Sequence, residues 1–212
     1  MRLTTVNLWS GRTDPSALER FLEAVRPDVV AAQEVGTNVV DVLSGSHPYG
    51  TVEGREDVRG RALVATKPIE VDEVPMPARP GLRTTVDGVG VIAVHLANPL
   101  DGMASVDLRR KQVDTILDEA RDMDRVVVVG DLNATPLWPA YRRLRRELAD
   151  GVAEWAAAAG ARPSRTWSKV PHGPALLRID HVLTRGMVVT SCTVERVLGS
   201  DHLAVTVDLE PG

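Results

Sequence analysis

Eight polar side chains occupy positions in this chain where the local pattern calls for apolar ones. Asn7, Glu34, His95, Asp131, Asn133 and Asp180 each fall inside or at the end of a strand-like apolar run, and Asp201-His202 immediately precedes another. A buried donor or acceptor left unpaired costs about 1–3 kcal/mol, and an unpaired charge costs more. These groups are therefore expected to meet one another, a metal ion or a ligand. Their types narrow the chemistry. Carboxylate and amide oxygens without a cysteine cluster suit a hard cation, and Mg2+ is held by one or two carboxylates together with substrate phosphate. The histidines form neither an HExxH pair nor a Cys/His zinc spacing. No GxxxxGK[ST] phosphate loop and no GxSxG elbow occurs, so nucleotide triphosphatase and serine hydrolase chemistry lack their main residues.

The elements that must position these residues can be read from pattern. "RLTTVNLW" (2–9) reads as a strand rich in β-branched residues. Asp14-Pro15 signals a helix start, and Leu18, Phe21, Leu22 and Val25 follow on one helical face until Pro27 ends it. "DVVAAQEV" (28–35) is a buried strand ending on Gln33-Glu34. "RALVAT" (61–66), "LRTTV" (82–86) and "GVIAVHL" (90–96) are further strands, the last two joined by a tight turn at Asp87-Gly88. A helix is expected over 105–121, with Val113, Ile116, Leu117 and Ala120 inward. "RVVVVG" is a buried strand, and Pro136 is expected to begin a short helix carrying Arg142, Arg143, Arg145 and Arg146. Strands return at 178–184, 187–197 and 203–209. Hairpins mixed with crossovers imply α+β layers, two sheets with helices outside, rather than a pure βαβ repeat.

At 212 residues, 43% hydrophobic and 25% charged, the chain is long enough for one sizeable core and short for two, so one domain over 1–212 is expected. Its 17 glycines and 14 prolines are scattered, marking no linker. A single cysteine, Cys192, cannot make an internal disulfide. The N-terminus has no signal-peptide core, and no run approaches the ~18 apolar residues of a membrane span. A soluble, cytoplasmic monomer is the expectation. The net charge of -4 argues against wrapping nucleic acid by bulk electrostatics, though an acidic metal site within a locally basic surface would be compatible with it.

"TVNLW", "DVVAAQEV", "VHL", "GDLNATP", "RIDHVL" and "GSDHLAV" resemble, in order, the motifs of the endonuclease/exonuclease/phosphatase superfamily. That group includes deoxyribonuclease I, exonuclease III and the apurinic endonucleases, the neutral sphingomyelinases and the inositol-polyphosphate 5-phosphatases. The resemblance spans residues 5 to about 207. It implies a four-layer α/β-sandwich, two packed mixed sheets flanked by helices, and a Mg2+-dependent hydrolase of phosphate esters, with Mn2+ as the alternative ion. By motif, Glu34 would be the principal metal ligand, supported by Asp201 and Asn7. Asp131 would orient or deprotonate the attacking water, and Asn133 would hold the phosphate or the water. His202 would contact the phosphate, with Asp180 fixing its tautomer. His95 would match a second histidine of the deoxyribonuclease and sphingomyelinase branches and serve as acid for the leaving group.

The substrate expected first is DNA or RNA, cleaved as a phosphodiester. The same chemistry on a lipid head group or small phosphate ester is the second reading, and an inactive homologue that only binds a partner is the third. A groove lined by Arg142–Arg146 and Arg165 would favour nucleic acid, whereas an apolar rim of exposed Leu, Trp or Val would favour lipid. Each motif also has a plainer reading. Asp131 and Asn133 alone would be a turn, Asp180 a salt-bridge partner for Arg178, and "RRLRR" a solvated helix face. His47 and His172 are expected on surface loops. Arg109, Arg110 and Gln112 read as structural. Arg61 stands where the family commonly has Asn, so no polar contact is carried over to it.

Overall fold

The computed structural model describes residues 1–100, 102 and 104–212. The chain forms β1 (Arg2–Asn7), α1 (Pro15–Val25), β2 (Val29–Gln33), a 3-10 turn (Thr37–Val39), α2 (Val40–Ser46), β3 (Tyr49–Glu53) and β4 (Arg61–Ala65). There follow β5 (Asp72–Val74), β6 (Gly81–Val86), β7 (Val89–His95), α3 (Ala104–Ala120), β8 (Val126–Asp131) and α4 (Pro139–Leu144). The chain closes with β9 (Ala149–Asp150), α5 (Gly151–Ala158), β10 (Asp180–Arg185), β11 (Met187–Arg196) and β12 (Leu203–Pro211). One six-stranded sheet runs β11-β12-β1-β2-β4-β3 and the other β5-β6-β7-β8-β10-β9. Both are mixed: β1 and β2 are parallel, as are β7 and β8, and the other neighbours are antiparallel.

The two-residue periodicity of strands explains the layers. Along "VVVV", Val127 and Val129 enter the core between the sheets, with Leu3, Val29, Ala31, Val91 and Val182. Val126 and Val128 point the other way, against Val113, Ile116 and Ala120 of α3 and Leu144 of α4. On the far side, Val30 and Ala32 of β2 pack against Leu18, Phe21 and Leu22 of α1 and Leu43 of α2. Strands sandwiched in this way are apolar on both faces, which is why they read as continuous runs. The result is the expected four-layer sandwich.

Local chemistry places the ends. Asp14 caps α1 by accepting from the Ala17 N–H at 2.9 Å, and Arg26 closes it in the left-handed region (φ 49°) before Pro27. The short helix begins at Pro139 rather than Pro136, because Pro139 takes the first helical position and Trp138 precedes it in extended backbone. β3, β5, β9, α2 and α5 carried no readable signal. The three strands are two to five residues long and largely half-exposed, while "GVAEWAAA" is too uniformly apolar to show a period. His47 is not a surface residue. It is buried, with Nε2 2.9 Å from the Pro27 carbonyl and Nδ1 2.9 Å from Ser46 Oγ. His172 is exposed, as expected. Among the described residues no helix is long and apolar enough to cross a membrane.

Candidate active site

Strand polarity gathers the polar residues at one end of the sandwich. β1 and β2 run parallel and finish together, Asn7 beside Gln33, with Glu34 the next residue. In the other sheet β7 and β8 finish together, His95 beside Asp131, and antiparallel β10 starts there with Asp180 opposite Asp131. The loop carrying Asp201 and His202 leads into β12, which lies antiparallel to β1 and so starts at the same end. Strand ends from both sheets thus meet at the seam between them, around a pocket of ≈ 360 Å³ lined by Glu34, His95, Asp131, Asn133, Asp201 and His202, among others.

The turn in "GDLN" is real and also chemical. Asp131 Oδ1 accepts from the Asn133 N–H at 2.7 Å, with Asn133 in the left-handed region (φ 45°). Gly130 must be glycine: its φ is +138°, and a Cβ there would lie 2.0 Å from the Val94 carbonyl oxygen. The turn frees Asp131 Oδ2, which accepts from Asn133 Nδ2 at 3.3 Å and Asn7 Nδ2 at 3.2 Å. The same Asn7 amide donates to Glu34 Oε1 at 3.1 Å, so one side chain ties together carboxylates from the two sheets. Glu34 sits at φ 50°, a conformation uncommon for a side-chain-bearing residue, and its other oxygen accepts from Ser10 Oγ at 2.8 Å. His202 Nδ1 lies 2.9 Å from Asp180, and its Nε2 faces Asp131 Oδ2 at 3.9 Å. Asp180, in turn, is bound to His202 and not to Arg178, which pairs with Asp150 at 2.6 Å.

Charge in the site is unevenly distributed. Burial opposes a proton on His202, but the adjacent Asp180 carboxylate, joined by Asp131 and Asp201, overrides it and raises the imidazole to about 10. Burial drives Asp131 upward, and the neighbouring Asp180 and Glu34 carboxylates add to this against the pull of His202. His95 is driven well below the usual imidazole range by burial, then by the Arg79 guanidinium and by His202. Arg79 donates from Nη1 toward His95 Nε2 and to the Leu96 carbonyl. That contact makes Nε2 an acceptor. The Glu34 and Asp131 carboxylates also lie 3.8 and 3.5 Å from the same nitrogen.

The oxygen set fits a hard cation. Asp201 Oδ2 accepts from Trp167 Nε1 at 3.1 Å, while its Oδ1 is buried with no hydrogen-bond partner, a costly state for a carboxylate oxygen unless something binds it. Glu34 and Asp201 line the same pocket. Asp131, Asp180 and His202 also bring ligand atoms within 4.8 Å of one another. Within that group His202 Nδ1 is already engaged by Asp180, whereas the buried Asp201 Oδ1 has no partner among the described residues.

Several contributors were not legible in sequence. Trp167 reaches the site from a loop, and a tryptophan in a polar loop of a chain with only 3% aromatic residues was the available signal. Arg79 and Ser10 had none. Ser200 Oγ donates to the Asn7 carbonyl at 2.7 Å and accepts from the His202 N–H, fixing that loop to β1. Arg109 and Gln112 are structural, as expected: Arg109 donates to the Ala97 and Leu132 carbonyls, and Gln112 bonds Ala97 and Pro77. Arg61 binds Glu53, Glu73 and the Pro80 and Gly81 carbonyls.

Two packed six-stranded mixed sheets with helices on both outer faces place the protein in the deoxyribonuclease I-like class of folds. The chain belongs to the Endonuclease/Exonuclease/phosphatase family, whose model matches residues 4–202. Among solved structures it is similar to the 3'-5' exonuclease NExo from Neisseria meningitidis, at 21% identity and a TM-score of 0.79, covering 99% of this chain and 100% of that one. A Neisseria NExo structure described as a 3' phosphatase bound to product DNA hairpin gives 21% identity and 0.80, covering 99% of each chain. A functionally unknown conserved protein from Enterococcus faecalis gives 19% and 0.76, covering 100% of both chains. No curated protein matches the sequence.

Proposed function

We propose that the protein is a metal-dependent phosphodiesterase that hydrolyses its ester by direct attack of water. The observation that supports this best is the Asp180–His202–Asp131 array facing the Glu34 carboxylate across one pocket. Glu34 and Asp201, with Asn7 beside them, would hold Mg2+ or Mn2+. When bound, such an ion neutralises charge on the phosphoryl oxygens.

The chain's own groups supply the rest. Asp131, raised by burial, is a base able to orient the water and take its proton as the oxygen–phosphorus bond forms. Asn133 offers its amide beside the same carboxylate. His202, kept protonated and oriented by Asp180, presents Nε2–H to phosphoryl oxygens as their charge grows. The ester phosphorus–oxygen bond then breaks, and the departing alkoxide takes a proton from solvent. His95, held by Arg79, keeps its neighbours in place rather than delivering that proton. The NExo structure with product DNA hairpin lends support to a polynucleotide as one substrate class.

The test is Mg2+-dependent hydrolysis of bis(p-nitrophenyl) phosphate by purified protein. Asp131→Asn and His202→Ala should each abolish turnover. Activity surviving in both variants would sink this reading.

A further inference from the structure

Trp167 sits outside the regular strands, yet its main chain is fixed from two sides. The Leu177 carbonyl accepts from the Trp167 N–H at 2.9 Å, and the Trp167 carbonyl accepts from the Leu176 N–H at 2.7 Å. On the other side, Trp167 pairs antiparallel with His202. There the Thr166 carbonyl accepts from the Leu203 N–H at 2.7 Å, and the Asp201 carbonyl accepts from the Ser168 N–H at 2.9 Å. Thr166 and Ser168 are buried, and Thr166 Oγ1 accepts from the Ile179 and Asp180 N–H groups, both at 3.1 Å. Backbone bonds therefore lock Trp167 between the strand start that carries Asp180 and the loop that carries Asp201 and His202. It lines the pocket together with Asp201.

From that fixed position the indole Nε1–H donates to Asp201 Oδ2 at 3.1 Å. A half-buried indole N–H needs an acceptor, but a neutral oxygen would serve it equally well. A carboxylate serves it at a cost, because the second oxygen, Oδ1, is buried and has no hydrogen-bond partner among the described residues. The indole thus holds Asp201 in one rotamer, with one oxygen used and the other left over. A carboxylate held in this way loses little freedom when a cation binds it. Side chains that orient metal ligands typically set ion affinity by about 10–100-fold.

We propose that Trp167 is a positioning residue for the cation site: its indole N–H holds Asp201 Oδ2, so that Oδ1 is the oxygen presented to the ion. The inference rests on the metal-dependent reading above and adds to it a residue that acts on the ion only through Asp201. The same hydrogen bond makes Trp167 a reporter. A cation on Oδ1 draws charge from the carboxylate and weakens Oδ2 as an acceptor, and the indole N–H registers that change.

The experiment measures ion binding on the full chain, without substrate, by titration calorimetry with Mg2+ and Mn2+ and by the indole N–H resonances in 15N-labelled protein. The chain has 4 tryptophans, and the Trp167 signal is the one lost in Trp167→Phe. That variant keeps the ring but not the donor, and its Kd for the ion should rise by about 10–100-fold. In an Asp201→Ala background the same change should weaken binding no further, which a merely structural role for the tryptophan would not give. Mg2+ should shift the Trp167 resonance of the wild type and leave it in place in Asp201→Asn, a test that holds even where Trp167→Phe fails to fold. A Kd within about twofold of wild type in Trp167→Phe, additive losses in the double variant, or a Trp167 resonance indifferent to saturating Mg2+ would each overturn the inference. Calorimetric binding by the wild type alongside any of these would leave the metal-dependent reading standing, whereas no binding of either ion would remove both.

Discussion

Replacing Asp150 by Asn tests the energetic account of the site's support. Asp150 is fully buried and accepts from Arg178 through both oxygens (3.1 and 2.6 Å) and from the Tyr141 hydroxyl at 2.6 Å. It also caps α5 by accepting from the Ala153 N–H at 2.9 Å. Asn keeps the size and the capping oxygen but removes the charge, leaving the buried Arg178 guanidinium uncompensated. Breaking a buried ion pair from one side costs about 3–5 kcal/mol. With a urea slope of about 2 kcal/mol per molar, the unfolding midpoint should fall by roughly 2 M.

The pH dependence follows from the same residue. Burial works against its charge, but the His181 imidazole at 3.8 Å and the Arg178 guanidinium hold Asp150 well below the usual carboxylate range. A depressed folded pKa contributes stability above the unfolded value, about 3.9, and that stability is lost as pH falls below it. Urea unfolding of the wild type should therefore steepen its decline below about pH 4, and the variant should lack that component. Adding Arg178→Met to Asp150→Asn should recover part of the loss, because the orphaned charge goes too. A midpoint shift under about 0.5 M, or an acid limb unchanged in the variant, would refute the reasoning.

Gly130→Ala should destabilise by about 2–4 kcal/mol in urea, from a disfavoured backbone conformation and the clash with the Val94 carbonyl. Asp180→Asn should lower kcat by about 10²–10⁴-fold, leaving the imidazole without the anion that orients and charges it. Glu34→Gln should abolish the heat of Mg2+ binding in titration calorimetry while the protein stays folded by circular dichroism. Chelation of the wild type should remove activity that Mg2+ restores.

What could be read from the sequence was local. The four valines announced a strand buried on both faces, and "GDLN" announced both its turn and its acid. Asp14-Pro15 fixed a helix start because capping is a property of adjacent residues. Partner choice across the chain was not readable in the same way: Arg178, two residues from Asp180, instead pairs with Asp150, 28 residues away. His47 lies in a stretch that reads as loop, yet burial by the rest of the fold decides its state. Arg79 is brought to His95 by pairing between β6 and β7, and no short motif records that. The exposure of Leu100 and Leu137 was not readable either, because exposure of a leucine is a property of the assembled surface. Roles for the eight polar residues came from the resemblance, whereas their convergence follows from strand direction.

The seating of β12 beside β1 bears on how this protein is made. The first sheet places β12 against β1, more than 190 residues earlier in the chain, Arg2 opposite Asp208, and Asp201 and His202 arrive on the loop that leads into β12. Contacts so distant in sequence carry a large loop-closure cost and cannot form until β12 has been made. A nascent chain would then carry Glu34 and Asp131 long before it carried the histidine and the carboxylate that face them. The polar cluster would thus stay incomplete until that loop is made, and a chain interrupted before it would lack Asp201 and His202 altogether.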